Sequence, residues 1–442
     1  MDKEYLIREK PLKALLIFAF PMIVGNLFQQ FYTMVDSVVV GRFVGEHALA
    51  AVGASYSLTN VFISIAIGGG VGASVLTSRY FGSRDYKKMK TSVTTALLSF
   101  LVVSLVLGSV GFCFGKEIMV LLNTPANILK QATEYLNIYF IGLPFLFMYN
   151  VLSAMFNALG RSKIPLFLLI FSSLFNIVLD VVLVRSFSMG VAGVAWATLV
   201  AQGISAVVAF FIFVREMRQY QGEKGDIHFD KREFCEMSRI ALPSILQQST
   251  VSIGMMLVQS VVNSFGAEML AGFSAAMRIE SICIVPMAAM GNVISSFTAQ
   301  NLGAGKKDRV VKGYHTGYGI VFGFGVILCV ILEFFYEPLI KMFLGKDGTV
   351  LAMSTGTDYL RFIGWFFTFI GLKMITDGLL RGAGDMKMFT VANLVNLSIR
   401  VIMSVTLAPC FGIAMVWYAV PIGWAANYII SFLEYRTGKW KK

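Results

Sequence analysis

The chain has 442 residues, of which 57% are hydrophobic and only 14% are charged. This composition is too apolar for a soluble protein of that length, and it predicts a membrane protein surrounded by a lipid bilayer. The formal net charge of +12 does not predict a nucleic-acid partner, because the basic residues are spread over short segments between apolar runs.

Twelve apolar runs follow one another along the chain, and each is long enough to cross about 30 Å of hydrocarbon as a helix. Runs of this length argue against a transmembrane barrel, whose strands alternate over about ten residues. The sequence therefore predicts an all-α membrane protein. Its expected spans are 12–40, 48–78, 91–114, 132–158, 164–184, 191–214, 236–264, 270–299, 311–336, 355–380, 388–408 and 411–433.

The basic residues predict the orientation of these spans. With the N-terminus inside, 27 of the 37 Lys and Arg residues fall in cytoplasmic segments and six in outer loops. The positive-inside rule then predicts a multi-pass protein of the cell membrane with both termini in the cytoplasm. The first run is too long for the core of a signal peptide, so we expect it to be kept as a helix.

The second half of the chain repeats the first. Pro21 is matched by Pro243, and the stretch from Gly160 to Lys163 is matched by 384–387. The predicted domains are a six-helix lobe at 1–214, a cytoplasmic linker at 215–235, and a six-helix lobe with a short tail at 236–442. Because each lobe crosses the membrane an even number of times, we expect a pseudo-twofold axis along the membrane normal. The two prolines are candidate hinges or simple packing kinks.

Sequence motifs for enzymes and cofactors are missing. No G-x-x-x-x-G-K-[ST] motif occurs, so ATP is not expected to power the chain directly. The five cysteines and three histidines show no metal-ligand spacing. We therefore predict a protein that is not an enzyme, with no catalytic residue, no cofactor and no structural metal, and any active transport would draw on an ion gradient.

Two carboxylates stand out inside the predicted spans of the first half, Asp36 and Asp180. A charged side chain at the centre of a bilayer costs at least about 2.5 to 3.5 kcal/mol, so it normally faces a cavity and has a function. Helical spacing puts further polar residues on the same faces, and the sixth span adds a third wall: Gln29, Tyr32, Asn176 and Thr198. The pattern predicts a polar pocket whose two carboxylates titrate together, the alternative being satisfied contacts between helices.

The second half differs in charge. In the repeat, Arg400 is placed at the position of Asp180. Lys373 and Asp377 are one helical turn apart, a spacing more typical of an interfacial ion pair than of a site. The sequence assigns no role to the charged residues of this half, which are Arg278, Glu280, Lys373, Asp377 and Arg400.

Several short motifs resemble those of the multidrug and toxic compound extrusion (MATE) family. They are Val-Asp-Ser around Asp36, Ser-Arg-Tyr-Phe-Gly at 78–82, Asn-Leu-Gly-Ala-Gly at 301–305 and Arg-Gly-Ala-Gly at 381–384. The resemblance implies a monomeric antiporter that exports cationic amphiphilic compounds, drugs or other toxic compounds by alternating access, driven by protons or sodium ions. A lipid-linked precursor flippase of the same superfamily is the alternative.

The resemblance also implies a set of site residues. It marks a coupling site for protons, or for sodium at Asp36 and Asp180, formed by Gln29, Tyr32, Asp36, Asn176, Asp180 and Thr198. This set is typical of the DinF-like rather than the NorM-like branch, because residues 247–251 contain no carboxylate. Candidate residues lining the substrate cavity are Tyr139, Asn150 and Asn157.

Overall fold

The computed structural model describes residues 4–44, 46–121, 124–220, 228–344 and 348–441, without the side chains of 36–43, 46–49 and 57. Regular structure in these ranges is helical throughout. The helices are α1 (Tyr5–Arg8), α2 (Pro11–Phe43), α3 (Glu46–Ser83), α4 (Tyr86–Leu121), α5 (Ala126–Ala158), α6 (Lys163–Val181), α7 (Gly190–Met217), α8 (Lys231–Asn263), α9 (Ala267–Gly303), α10 (Lys307–Leu344), α11 (Val350–Gly364), α12 (Phe367–Ala383), α13 (Met386–Phe411) and α14 (Ala414–Thr437).

The predicted all-α membrane fold is confirmed. Within the described ranges, eleven helices are long and apolar enough to cross a bilayer, and the pair α11 and α12 makes a twelfth span. That pair is bent by 54° at Trp365 and Phe366, where the sequence predicted one continuous span. Gly364 precedes the break, and glycine is a weak helix former.

The helices divide into two compact units, one of residues Met1–Ile23 and Leu246–Lys442 and the other of Val24–Ile245. Both divisions fall inside long helices, α2 and α8, two residues after Pro21 and Pro243 respectively. A proline inside a helix removes one backbone hydrogen bond and weakens the helix at that point. The predicted lobes at 1–214 and 236–442 follow the covalent repeat and stay a prediction.

The unit of Val24–Ile245 is built around α5, which packs against α3, α4 and α7. Small residues allow these helices to approach closely. A Cβ added at Gly108 of α4 would lie 2.8 Å from the carbonyl oxygen of Phe140, and one added at Gly142 of α5 would lie 3.2 Å from Leu199. Without a hydrophobic force between helices in lipid, such close packing is the main source of their association.

The other unit repeats this arrangement with the corresponding helices. Its α9 packs against α10, α11 and α12, and α12 packs against α14. Gly378 and Gly382 of α12 touch the backbone of α9, so that a Cβ at either position would overlap the carbonyl oxygen of Gly291 or Ser295. The packing therefore preserves the repeat that the sequence shows only weakly.

We predict that Gly382→Ala destabilises the protein by about 1 to 3 kcal/mol, because the added methyl group meets backbone that cannot move aside. Thermal unfolding of the purified protein in detergent is the measurement. Gly319→Ala in α10 is the matched control, since its Cβ would meet nothing within 4 Å. An unchanged melting temperature for Gly382→Ala would show that α9 and α12 are not in backbone contact.

Candidate functional site

Four of the six predicted coupling residues lie together in the unit of Val24–Ile245. Tyr32 comes from α2, Asn176 and Asp180 from α6, and Thr198 from α7. In the orientation that satisfies both ends of the Asn176 amide, its nitrogen donates to the Tyr32 hydroxyl and to Asp180 Oδ2 at 3.2 Å, and its oxygen accepts from the Thr198 backbone N–H at 3.0 Å. Asn176 is therefore the hub of this cluster.

The cluster is shielded from solvent. Asp180 is 0% exposed and Asn176 is 2% exposed. An ionised carboxylate in such surroundings is costly unless a hydrogen bond or a cation compensates it. One turn of π-helix, Val182–Ser186, follows directly after α6, and such turns are frequent at functional sites. Nothing in the sequence predicted this turn.

The remaining two coupling residues are less defined. The Gln29 side chain is exposed on α2, one turn before Tyr32. The backbone of Asp36 continues α2 as predicted, but its side chain lies outside the described residues. Its place in the coupling site stays a prediction.

The three candidate lining residues all lie on α5. Tyr139 lines a cavity of about 10 Å³ between α5 and α7, together with Tyr135, Thr198 and Gln202. Its hydroxyl donates to the carbonyl oxygen of Thr59 at 3.2 Å. Asn150 instead donates to the Leu146 carbonyl of its own helix at 2.8 Å, and neither Asn150 nor Asn157 lines this cavity. Tyr135 and Gln202 were missed in the sequence, since neither carries a charge.

In the other unit, Lys373 and Asp377 form an ion pair of 3.3 Å with both side chains 5% exposed. Asp377 also accepts from Ser431 at 2.7 Å and from Asn393 at 3.2 Å. Gln247 donates to Asn393 at 3.1 Å. The predicted ion pair is present, and side chains of α13 and α14 enclose it with hydrogen bonds.

The other charges of this unit have separate surroundings. Glu280 of α9 is buried and accepts a hydrogen bond from the Tyr359 hydroxyl. Arg278, two residues earlier on the same helix, is exposed. Arg400 of α13 donates to Met255 Sδ at 3.3 Å. These residues do not form one cluster.

The matched prolines and glycines fix the register of the repeat. Gly25 and Gln247 each stand four residues after the matched prolines, and Leu169 and Asn393 each stand nine after the matched glycines, Gly160 and Gly384. A Cβ at Gly25 would lie 3.5 Å from Leu166 and 3.9 Å from Leu169. Gln247 bonds Asn393 at 3.1 Å, so corresponding helices meet in both halves.

This register corrects the placement of Arg400. When this register is continued along α13, Arg400 corresponds to Asn176 of α6 and Ser404 corresponds to Asp180. The placement of Arg400 opposite Asp180 is wrong by one helical turn. Both polar positions of α6 are thus replaced in α13 by residues of different charge.

A further titratable group lies in the turn between α12 and α13. Burial raises the pKa of Asp385, and the neighbouring charge of Glu434 and a hydrogen bond with it raise that pKa further. Lys439 opposes these effects. Asp385 is far from the Asn176 cluster in sequence. We therefore expect its ionisation to affect the stability of the protein and not the candidate site.

Three comparisons identify the family. The MatE family model matches residues 21–182 and 243–406, one match in each half of the repeat. The probable multidrug resistance protein YpnP of Bacillus subtilis is 30% identical, with 97% of this chain and 96% of that protein covered. An FAD transporter of Shewanella oneidensis is 24% identical, over 75% of this chain and 74% of the transporter.

A solved structure shows the same fold. It is a MOP superfamily transporter from Pyrococcus furiosus, described as having a binding pocket of reverse polarity that suggests a different function. The TM-score is 0.92 at 23% identity, and 100% of this chain and 99% of the other are covered. The fold and the duplicated helices define a multi-pass membrane transport protein, and not an enzyme. The chain belongs to the MatE family.

We predict that Asp385→Asn stabilises the protein at neutral pH, because it removes a buried charge beside Glu434. The sign follows from the raised pKa of Asp385 in the folded protein. As the pH falls through this pKa towards 3.8, the ordinary pKa of an aspartate, the folded protein takes up a proton before the unfolded chain does, so the stability of the wild type should increase. Melting temperatures of both proteins between pH 8 and pH 4 test this. The stabilisation by Asn should shrink on acidification, and a constant difference would contradict the prediction.

Proposed function

We propose that this protein is a secondary active antiporter that exports organic cations, drugs or other toxic compounds in exchange for protons or sodium ions. The observation that carries the proposal is the fully buried Asp180 with its hydrogen bond from Asn176. A carboxylate in that position has a use if it exchanges a cation during a transport cycle. The multidrug resistance protein of Bacillus subtilis supports the substrate class.

The Asn176 cluster suits either coupling ion. A proton would bind a carboxylate, Asp180 or the predicted Asp36, and would remove the cost of burying its charge. A sodium ion would use the oxygen atoms of Asp180, Tyr32 and Thr198, and would need the Asn176 amide turned so that its oxygen joins them; these are hard ligands of the kind that such cations prefer. In both cases the bound cation lowers the free energy of the closed pocket.

We assign coupling to the DinF-like site in the first half of the chain. In the second half, Asp377 is already neutralised by Lys373 at 3.3 Å. No carboxylate lies in α8 between Gln247 and Val251. The acidic groups that a NorM-like site would need there are therefore occupied or missing.

Alternating access requires helices that can bend. The division into compact units falls two residues after Pro21 and Pro243, which supports both prolines as hinges. We propose that α2 and α8 change their path at these points as the coupling ion binds and leaves. We further propose a monomer with both termini in the cytoplasm, and a substrate cavity that includes Tyr139, Asn150 and Asn157.

We predict that Asp180→Asn abolishes gradient-driven efflux, lowering the initial rate at least about 100-fold, while the protein still folds, because the amide cannot exchange a cation. Efflux of a fluorescent lipophilic cation from proteoliposomes is measured with a pH gradient alone and with a sodium gradient alone. The gradient that drives wild-type transport identifies the coupling ion.

Asp358→Asn serves as the control, because Asp358 is an exposed carboxylate of α11. Efflux by Asp180→Asn at the wild-type rate would refute the coupling role. Movement of a lipid-linked precursor without export of the cation would favour the flippase alternative.

We predict that Pro21→Ala slows efflux roughly tenfold but leaves the Kd for the same cation within about twofold, since the hinge affects the conformational step and not the binding groups. Binding is followed by fluorescence anisotropy and efflux in proteoliposomes. Pro338→Ala in α10 is the control, as Pro338 lies inside a helix that belongs to one unit. Equal loss of binding and efflux would assign Pro21 to folding instead.

A further inference from the structure

Arg400 occupies the middle of the membrane-spanning helix α13, Met386–Phe411. A guanidinium has five N–H donors and cannot be deprotonated, so it needs acceptors wherever it lies. Its hydrogen bond in this structure goes to Met255 Sδ at 3.3 Å, and sulfur is a weak acceptor. Among the described residues no carboxylate lies within ion-pair distance of Arg400.

The charge of Arg400 acts on Glu280 through space, without an ion pair between them. Glu280 accepts a hydrogen bond from the buried Tyr359. The guanidinium therefore keeps most of its donors available for a ligand.

Arg400 lines a small cavity between α8 and α13. Its volume is about 10 Å³, enough for a group of the size of a water molecule. Asn396, one turn before Arg400, lines the same cavity and is 8% exposed. In the described part of the chain its Oδ1 has no hydrogen-bond partner. That oxygen lies against Gly423 of α14, where an added Cβ would overlap it. The other lining residues are Val251, Gly254, Met255, Val258, Asn393 and Leu397.

The cavity lies at the position that corresponds, in the sequence repeat, to the proposed cation site of the first half. In the register fixed by the matched prolines, Val251, Gly254 and Val258 correspond to Gln29, Tyr32 and Asp36. With Arg400 opposite Asn176 and Ser404 opposite Asp180, both carboxylates are gone and a guanidinium is present.

Gly254 stands at the position that corresponds to Tyr32, and Leu397 of α13 fills the space beside it. A Cβ there would overlap Cδ1 of Leu397.

We propose that this cavity binds one atom of a small anionic group, with Arg400 as its ligand. The atom is an oxygen of a carboxylate or phosphate on the transported compound, or a free inorganic anion such as chloride. The first source rests on the proposed export function, and it extends the substrate class to compounds that carry an acidic group. A charge-assisted hydrogen bond from Arg is among the strong ones, which fits recognition of an anion.

The test uses rhodamine 110, which has a free carboxylate, and its methyl ester, rhodamine 123, which lacks that negative charge. Binding of each to the purified full-length protein in nanodiscs is measured by fluorescence anisotropy in chloride-free buffer. We expect Arg400→Gln to raise the Kd for the acid about tenfold or more and to change the Kd for the ester less than twofold. Arg400→Lys, which keeps the charge, should recover part of the affinity for the acid.

The control variant is Arg361→Gln, which removes an exposed arginine paired with Glu333 at 3.0 Å. It should change neither Kd. An equal effect of Arg400→Gln on acid and ester, or no effect on either, would overturn the proposal. Should Arg400→Gln fail to fold, acetate competition in the wild type decides: acetate must weaken binding of the acid and spare the ester, and failure to do so overturns the site.

Competition by acetate and by chloride distinguishes the possible sources of the anion. Competition by acetate alone indicates a carboxylate of the compound, whereas equal competition by chloride indicates a general site for small anions. Both results support the cavity. Because these are binding measurements, loss of efflux in proteoliposomes with the binding difference intact would refute the antiport proposal and leave the anion site standing.

Discussion

The cost of placing polar and charged groups in hydrocarbon governs this structure. Every backbone group of a membrane span must be bonded within the chain, and helices meet that need along their whole length. The same cost applies to side chains. Asp180 is fully buried beside Asn176, and Lys373 is held by Asp377 within 3.3 Å. Each buried charge is thus either compensated by a neighbour or placed beside a cavity, and that distinction separates structural from functional residues.

The distinction changes the interpretation of the second half of the chain. The sequence favoured an ion pair of Lys373 with Asp377, and the structure adds Ser431 and Asn393, which complete the bonds of the carboxylate. Removal of either Lys373 or Asp377 would leave the other charge buried without a partner, which destabilises a protein strongly. Arg400 is the opposite case, since its hydrogen bond is to a sulfur atom and a cavity lies beside it.

Hydrophobic runs predicted the membrane fold well, because about 20 apolar residues in succession have few other uses. The break between α11 and α12 could not be read in this way. In the repeat, the proline at Pro144 of α5 stands close to the position of the break, yet α5 continues through it as one helix. The break itself has only Gly364 before it. Packing, rather than local propensity, decides which of the two spans remains continuous.

The N-terminal site was predicted in part, and for a physical reason. Helical spacing put Asn176 and Asp180 on one face, and their contact with each other and with Tyr32 followed from that face. Spacing could not show that Asn150 turns to its own backbone, because side-chain direction depends on neighbours. The same limit explains the misplacement of Arg400. A slip of four residues leaves the polar face of a helix nearly unchanged, so the face alone does not fix the register, whereas the matched glycines Gly160 and Gly384 do.

Duplication explains how two related sites came to differ in charge. A coupling ion can drive transport only by binding one conformation more tightly than another, and one carboxylate site is enough for that. The corresponding site in the other half is then free of the requirement for a carboxylate. With Val258 at the place of Asp36 and Ser404 at that of Asp180, neither corresponding position carries a carboxylate that could pair with Arg400. An arginine in mid-membrane without a paired carboxylate costs free energy in every conformation. Its retention beside a cavity is most simply explained by a ligand that offsets this cost when it binds.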